Sequence, residues 1–336
     1  MPKVGRCWIP APGRTAITAL VYGAFALAAS ACAPPAETDA TGTGGGVRLL
    51  SWNVSSDAFV RYPAEFRALV RKAQADILLL DEVAPSTNEN ELRAVLSGLE
   101  SDSRGGWHID FGQSGGRQRG VVASRMPLER LPEFSGIVPY PEAERRRLYD
   151  RMAAADELNP RYSMDDGIPV NGAVVLIGER RLLVVTADLQ SRDDDPGAWR
   201  EDRRRVEARE IRQRVRQVLE RTSVDGIIVA GDFNLVSTPL PMVFASGPYP
   251  LPHAGLIAAE LRHLDGLETW TNQANNFPNS ALDFVLYGPQ ALELRGGYVL
   301  DTADLSPAEL EQLDLESDSA HRLSSHRPLV AEFFWH

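Results

Sequence analysis

Strand-like apolar runs in this chain repeatedly terminate on a side chain able to bind a cation or move a proton. Asn53 closes LLSWN, Glu82 closes ILLLDE, Asp188 closes LLVVTAD, and Asp232 and Asn234 follow IIVAG. Asp283 and His326 stand beside two further runs, in ALDFVLY and SSHRPLV. One acid after a strand usually caps a helix or forms a turn, because its oxygens satisfy free backbone donors. The ordered recurrence of carboxylate, amide and a single imidazole implies more. If the runs are neighbouring strands, their polar ends meet at one sheet rim, where oxygen ligands can hold a hard divalent cation and a phosphate. The chemistry to expect is metal-assisted hydrolysis of a phosphate ester.

That ordered set resembles the endonuclease/exonuclease/phosphatase superfamily, which includes DNase I, exonuclease III-type AP endonucleases, neutral sphingomyelinases and inositol polyphosphate 5-phosphatases. The resemblance runs from about Val47 to Phe334. SWNV is similar to the family's first strand, and DILLLDE to its metal-binding glutamate motif; GVVASRMPLE is similar to its middle strand with a Ser-Arg-x-Pro turn. GDFN is the most specific match. The resemblance implies that Glu82, helped by Asn53, holds Mg2+ or Mn2+, that Asp232 activates water, and that Asn234 holds the phosphate. It also implies that Asp283 supports His326. The implied fold is α/β, a two-layer β-sandwich flanked by helices in the DNase I-like four-layered αββα arrangement. Two positions depart from the pattern: Ser325 stands where the family usually has an acid before the histidine, and Asp188 where sphingomyelinase-like and DNase I-like members place a histidine.

The chain's start reads as a targeting segment. Lys3, Arg6 and Arg14 precede an uncharged apolar run from about Ala16 to Ala29, and Ser30-Ala31 lead into Cys32. This resembles a bacterial lipoprotein signal. The expected organisation is a signal peptide over 1–31, a lipidated Cys32 with a flexible linker over 32–46, and one domain over 47–336. The protein is then expected to be a monomer anchored by its N-terminal lipid in the bacterial cell envelope and facing the periplasm or exterior; a secreted form is the alternative. The only cysteines are Cys7 and Cys32, so the domain has no disulfide framework and no thiolate metal site. Oxygen ligands remain, and these favour magnesium, manganese or calcium over zinc.

The net charge of −11 argues against long-range attraction of a polyanion, and loss of the three basic residues before Cys32 would make the domain more acidic still. The expected partner is a phosphate ester, as a small molecule or lipid head group rather than long nucleic acid. Hydrophobic residues make up 43% of the chain, sufficient for a large core. Helical spacing of Phe66, Leu69, Val70 and Ala73, and of Val206, Ile211, Val215, Val218 and Leu219, places helices before two of the motif strands. Hairpin-like pairs join 107–111 to 120–124 and 172–177 to 181–186. The polar stretch 144–167 shows no strand pattern and reads either as a surface helix and loop near the substrate or as a solvated insertion.

Arg117 and Arg119, in SGGRQRG, and Arg327, beside His326, are candidate phosphate-binding residues because a guanidinium fork matches phosphate oxygens. Asp188 completes the substrate-binding candidates. Arginines across 199–221 alternate with Glu201, Asp202, Glu207, Glu210 and Glu220, the pattern of a solvated helix face rather than a basic nucleic-acid footprint. The expected activity is phosphodiester hydrolysis by direct in-line attack of water. The alternatives are a binding module of the same fold with weakened catalysis, suggested by Ser325 and Asp188, and a secreted nuclease.

Overall fold

The computed structural model describes residues 46–99, 105–274 and 278–336. The expected signal peptide, lipidated Cys32 and almost all of the linker lie outside them. Among the described residues, no helix is long and apolar enough to cross a membrane.

Among the described residues, twelve strands form two six-stranded sheets. The first contains β1 (Val47–Ser56), β2 (Ile77–Val83), β3 (His108–Phe111), β4 (Arg119–Ser124), β11 (Leu292–Val299) and β12 (Leu329–Trp335), in the order β11-β12-β1-β2-β4-β3. The second contains β5 (Leu128–Arg130), β6 (Val170–Ile177), β7 (Arg180–Asp188), β8 (Gly226–Asp232), β9 (Ile257–Ala258) and β10 (Asp283–Tyr287), in the order β5-β6-β7-β8-β10-β9. Each sheet holds one parallel pair, β1 with β2 and β7 with β8, and its other pairings are antiparallel. Both hairpins read from the sequence are present, as β3-β4 and β6-β7.

Parallel neighbours need a crossover, and helices supply it. Helices α1 (Ala58–Arg61) and α2 (Pro63–Ala73) connect β1 to β2, and after α3 (Glu89–Ser97) and α4 (Glu142–Ala154), helix α5 (Trp199–Arg221) connects β7 to β8. Pro63 sets the backbone at the start of α2, and Gln74 stops it in a left-handed conformation, φ 51°. The remaining helices are α6 (Leu240–Ala245), α7 (Pro307–Leu313) and α8 (Ser319–Leu323).

Side-chain alternation divides each strand between two cores. Leu49, Ile77, Leu79, Val184, Ile228, Ala230 and Val285 face the space between the sheets. Leu50, Trp52, Leu78 and Leu80 pack outward against α2, α3 and α8, while Leu183, Val185, Ile227 and Val229 pack against α4 and α5. The two-layer sandwich flanked by helices is therefore the observed fold. Each large aliphatic side chain buried between the layers contributes roughly 1.5–3 kcal/mol.

Two sequence expectations are refined. Region 144–167 supplies most of α4, which buries Leu148 and Met152 in the outer core, followed by a 3-10 turn at Pro160–Tyr162. It is a surface helix and turn, largely exposed and anchored to the core by those side chains. Helix α5 does form i,i+4 pairs such as Arg203–Glu207 at 2.9 Å, but in its first half the charged residues Glu201, Arg204 and Glu207 are fully buried, while solvated charges such as Arg216 and Glu220 lie in its second half. Arg204 donates to the Gln190, Arg192 and Asp193 carbonyls, and Glu207 accepts from Tyr140 and from the Gln190 amide. Loop carbonyls and hydroxyls supply the partners that a helix-only pattern cannot show.

Candidate active site

The alternation that fills the inter-sheet core also aims the polar strand ends. Asn53 continues the inward series of Leu49 and Ser51, Asp188 that of Val184 and Thr186, Asp232 that of Ile228 and Ala230, and Asp283 that of Val285 and Tyr287. The C-terminal ends of β1, β2, β7 and β8 form one rim. β10 runs against β8, so Asp283 at its start pairs in register with Asp232. β12 runs against β1, which brings His326, three residues before Leu329, to the same rim. Asp188 also pairs in register with Asp232.

β2 departs from simple alternation. Val83, rather than residue 82, resumes the outward face, and the pairing register shifts between Leu80 and Val83. Glu82 occupies the extra position with φ 53°. This bulge allows two consecutive acids, Asp81 and Glu82, to serve the rim. In the GDFN segment, Gly231 has φ +133°, and a Cβ there would lie 2.0 Å from the Ala187 carbonyl oxygen, so no larger residue fits. Asn234 takes a left-handed conformation, φ 47°, which asparagine tolerates better than most residues.

The contacts form a chain of polar groups. His326 Nδ1 lies 2.8 Å from Asp283 Oδ2, which also accepts from the Thr271 hydroxyl at 2.6 Å. His326 Nε2 faces Asp232 Oδ2 at 3.7 Å. Asp232 Oδ2 accepts from Asn53 Nδ2 at 3.3 Å, and its Oδ1 from the Asn234 amide at 2.8 Å. Asn234 Nδ2 donates to the Leu189 carbonyl, and Asn53 Oδ1 accepts from the Ser55 amide. The histidine segment is clamped: Trp52 Nε1 donates to the His326 carbonyl, and the Ser324 hydroxyl accepts from the His326 amide while donating to the Asn53 carbonyl.

The rim is acidic and largely buried. Asp81, Asp188, Asp232, Asp283 and His326 are all buried, with Asp81 and Asp188 fully so, and Glu82 is half-buried. Burial, then the carboxylates of Asp283 and Asp232, pushes Asp81 well above the usual carboxylate range. Burial, then Glu82 and Asp232, does the same to Asp188. Burial and Asp283 push Asp232 up to about 8. Burial opposes the charge on His326, but Asp283 and Asp232 outweigh it and raise the imidazole to about 10.

Both Asp81 oxygens, Asp188 Oδ1 and Asp283 Oδ1 are buried without a hydrogen-bond partner. Asp232, Asp283 and His326 offer ligand atoms within 4.8 Å of one another, although an imidazole held in its charged form by two acids is a poor ligand. No arginine or lysine bonds to the rim acids among the described residues. Orphaned carboxylate oxygens in a low-dielectric site are costly unless a proton or cation compensates them. An all-oxygen donor set suits a hard divalent cation.

The arginines go elsewhere. Arg327 is buried and donates to Asp301 Oδ2 at 2.6 Å, to Gln273 Oε1 at 2.6 Å and to the Ser324 and Ser325 carbonyls. Its fork braces the histidine segment, so the residue expected to bind phosphate is committed to Asp301, Gln273 and two carbonyls. Arg119 Nη2 donates to the Ala84 and Thr87 carbonyls, with its guanidinium over the Phe111 ring, and so fastens the loop after β2. Arg117 is exposed in the 3-10 turn before β4. Gln118, between the two arginines, is the residue of that turn that reaches the rim, donating to Asp188 Oδ2 at 2.7 Å. Asp188 accordingly belongs to the acidic rim. Ser325 is partly exposed, and its hydroxyl accepts from Asn272 Nδ2 at 3.4 Å.

A family model described as "Endonuclease/Exonuclease/phosphatase family" matches residues 50–326. Among solved structures, truncated Caenorhabditis elegans TDP2 is 14% identical with a TM-score of 0.53, covering 86% of this chain and 97% of its own. An endonuclease/exonuclease/phosphatase from Bacteroides vulgatus is 14% identical with a TM-score of 0.53, covering 87% of this chain and 100% of its own. The human Nocturnin catalytic domain with bound sulfate is 16% identical with a TM-score of 0.51, covering 87% and 95%. At these identities the structures share the fold. None of the curated proteins compared matches the chain.

Proposed function

This chain belongs to the endonuclease/exonuclease/phosphatase family, and we propose that it is a divalent-metal-dependent phosphoesterase that hydrolyses a phosphodiester by direct in-line attack of water. The observation that carries this reading is the His326–Asp283 pair, at 2.8 Å, facing Asp232 across 3.7 Å at a rim of orphaned carboxylates. Glu82, helped by Asn53, would hold Mg2+ or Mn2+. When bound, the cation supplies Lewis acidity at a phosphate oxygen and restores the carboxylate form of neighbouring acids.

Asp232 orients the attacking water and takes its proton. Its two oxygens are fixed by the Asn234 amide and the Asn53 side chain, so the base is positioned before substrate arrives. His326, positively charged and directed by Asp283, stabilises negative charge on the phosphoryl oxygens as it grows. Thr271 fixes Asp283 and thereby the imidazole plane. Asn234 presents its remaining side-chain donor to the phosphate. No covalent enzyme intermediate is needed.

The acidic balance, −11 overall, and the commitment of Arg119 and Arg327 to carbonyls and Asp301 leave little positive surface at the rim. They favour a small phosphodiester or a lipid head group over long nucleic acid. Lipidation of Cys32 would hold a monomer at the bacterial envelope. Cys32→Ser should give an unprocessed or soluble form; a native protein that is soluble and unlipidated would overturn this part. Activity is tested by a magnesium-dependent screen over a model phosphodiester, a phosphomonoester, DNA and a phospholipid. Phosphodiester or phospholipid hydrolysis abolished by chelator is expected, and unchanged hydrolysis in metal-free buffer would overturn the mechanism.

A further inference from the structure

Asp81, like Asp188, is a rim acid without a role so far, and its surroundings are unusual. It is fully buried, and neither carboxylate oxygen has a hydrogen-bond partner. Its register neighbour on β1 is Asn53, whose amide is aimed at Asp232 and not at Asp81. The groups acting on it most strongly are Asp283 and Asp232, with Glu82 adjacent and His326 the single cationic group. Arg119 is committed to the Ala84 and Thr87 carbonyls, and Arg327 to Asp301. A structural acid in such a position would be expected to have at least one donor, since an unpaired buried polar group is destabilising and a charged one more so. The β2 bulge is a second, independent feature. It breaks the alternation that would have turned one of Asp81 and Glu82 outward, and keeps both at the rim.

We propose that Asp81 is a direct ligand of the divalent cation, joining Glu82, with Asp188 Oδ1 presented from the facing sheet and aligned by the Gln118 bond to its other oxygen. The coordination sphere is therefore richer in carboxylates than Glu82 and Asn53 alone provide. Its ligands come from both sheets, so cation binding ties the two layers together at the rim. A carboxylate-rich oxygen site selects Mg2+, Mn2+ or Ca2+ over softer ions. The proposal rests on the metal-dependent reading above and adds a ligand to the same site.

The test is Asp81→Asn in the full chain, solubilised in detergent, an isosteric change that removes the charge and keeps the volume. Thermal unfolding in chelator and with added Mn2+, together with Mn2+ affinity read from the loss of the free-ion paramagnetic resonance signal, reports on the site without turnover. The expected result has two parts: Mn2+ affinity falls by at least about tenfold, and the metal-free variant unfolds at the same or a higher temperature than the metal-free parent, because a buried unpartnered carboxylate has been removed. Wild-type Mn2+ affinity in the folded variant would overturn the proposal and show that a proton compensates Asp81. A lower metal-free unfolding temperature with unchanged affinity would overturn it in favour of a structural role.

If the variant does not fold, anomalous diffraction from the Mn2+-loaded parent decides. A peak within about 2.5 Å of an Asp81 oxygen supports the assignment, and a peak held by Glu82 without Asp81 refutes it. Failure of this inference is distinct from failure of the activity. A parent that binds Mn2+ through Asp81 but cleaves no phosphoester leaves the ligand assignment standing. Cation-dependent hydrolysis combined with unchanged affinity in Asp81→Asn removes the ligand assignment alone.

Discussion

Asp283→Asn should impair the enzyme most at alkaline pH, and the size of the effect follows from the imidazole's surroundings. Asp283 Oδ2 lies 2.8 Å from His326 Nδ1 and is the largest favourable influence raising the imidazole to about 10, ahead of Asp232. An amide can still accept a hydrogen bond, but it carries no charge. With Asp283 neutral, burial continues to oppose the imidazolium and only Asp232 and, more weakly, Glu82 favour it, so the pKa should fall toward the ordinary value of about 6.5. At pH 8 a group titrating there is about 3% charged, a loss of about thirtyfold in the active form. Loss of fixed orientation should bring the total to about a hundredfold or more.

The assay is kcat/KM on a model phosphodiester from pH 6 to 10 at saturating Mg2+, with folding checked by circular dichroism. The parent should hold its activity well into alkaline pH, whereas the variant should decline from near neutrality. Ser325→Asp, which adds a carboxylate at a partly exposed position beside His326, should maintain or raise the rate and extend it to higher pH. A folded Asp283→Asn protein with the parent's rate and alkaline limb would refute the reasoning, as would complete loss of activity in a folded Ser325→Asp protein.

Metal-free stability should fall as pH rises. Asp81, Asp188 and Asp232 have folded-state pKa values raised above 3.8, and His326 is raised above 6.5 to about 10, so their contributions are fully present below the unfolded values. Those contributions are lost as pH climbs through about 8 for Asp232 and about 10 for His326. Thermal unfolding in chelator at pH 5, 7 and 9 should show a falling series that Mg2+ reverses most at pH 9, and a flat or rising series would contradict the assignment. Glu82→Gln should sharply raise the Mg2+ concentration needed for half-maximal activity, and an unchanged Mg2+ dependence would remove Glu82 from the site. Gly231→Ala should cost about 3 kcal/mol or more, or prevent folding, because its Cβ would meet the Ala187 carbonyl oxygen at 2.0 Å and its φ is +133°; chemical denaturation with parent-like stability would refute that constraint.

The parts of the site carried by strand periodicity were legible in the sequence. Asn53, Asp188, Asp232 and Asp283 each extend an inward-facing series, so an apolar run ending on a polar residue was sufficient to place them. Asp81 extends the inward series of Ile77 and Leu79 in the same way, but the resemblance pointed to Glu82 alone. Neighbouring residues on a regular strand face opposite ways, so reading DILLLDE selects one acid, and the bulge that uses both depends on a left-handed Glu82 with no glycine to mark it. Thr271 and Gln118 come from connecting segments without a repeating pattern, and chain folding alone brings them to Asp283 and Asp188. Arg119 and Arg327 drew attention as charges near motifs. Their partners are carbonyls, Asp301 and Gln273, and spacing along a chain does not reveal which carbonyls remain free.

The most direct test of the central claim compares the parent with Asp232→Asn in hydrolysing a model phosphodiester at saturating Mg2+, with Mn2+ binding measured on both. The proposed mechanism predicts that the folded variant still binds the cation and loses about a hundredfold or more in turnover, the cost of losing a positioned base. A folded, cation-binding Asp232→Asn protein that turns over at the parent's rate would contradict it, and the attacking water would have to be activated elsewhere.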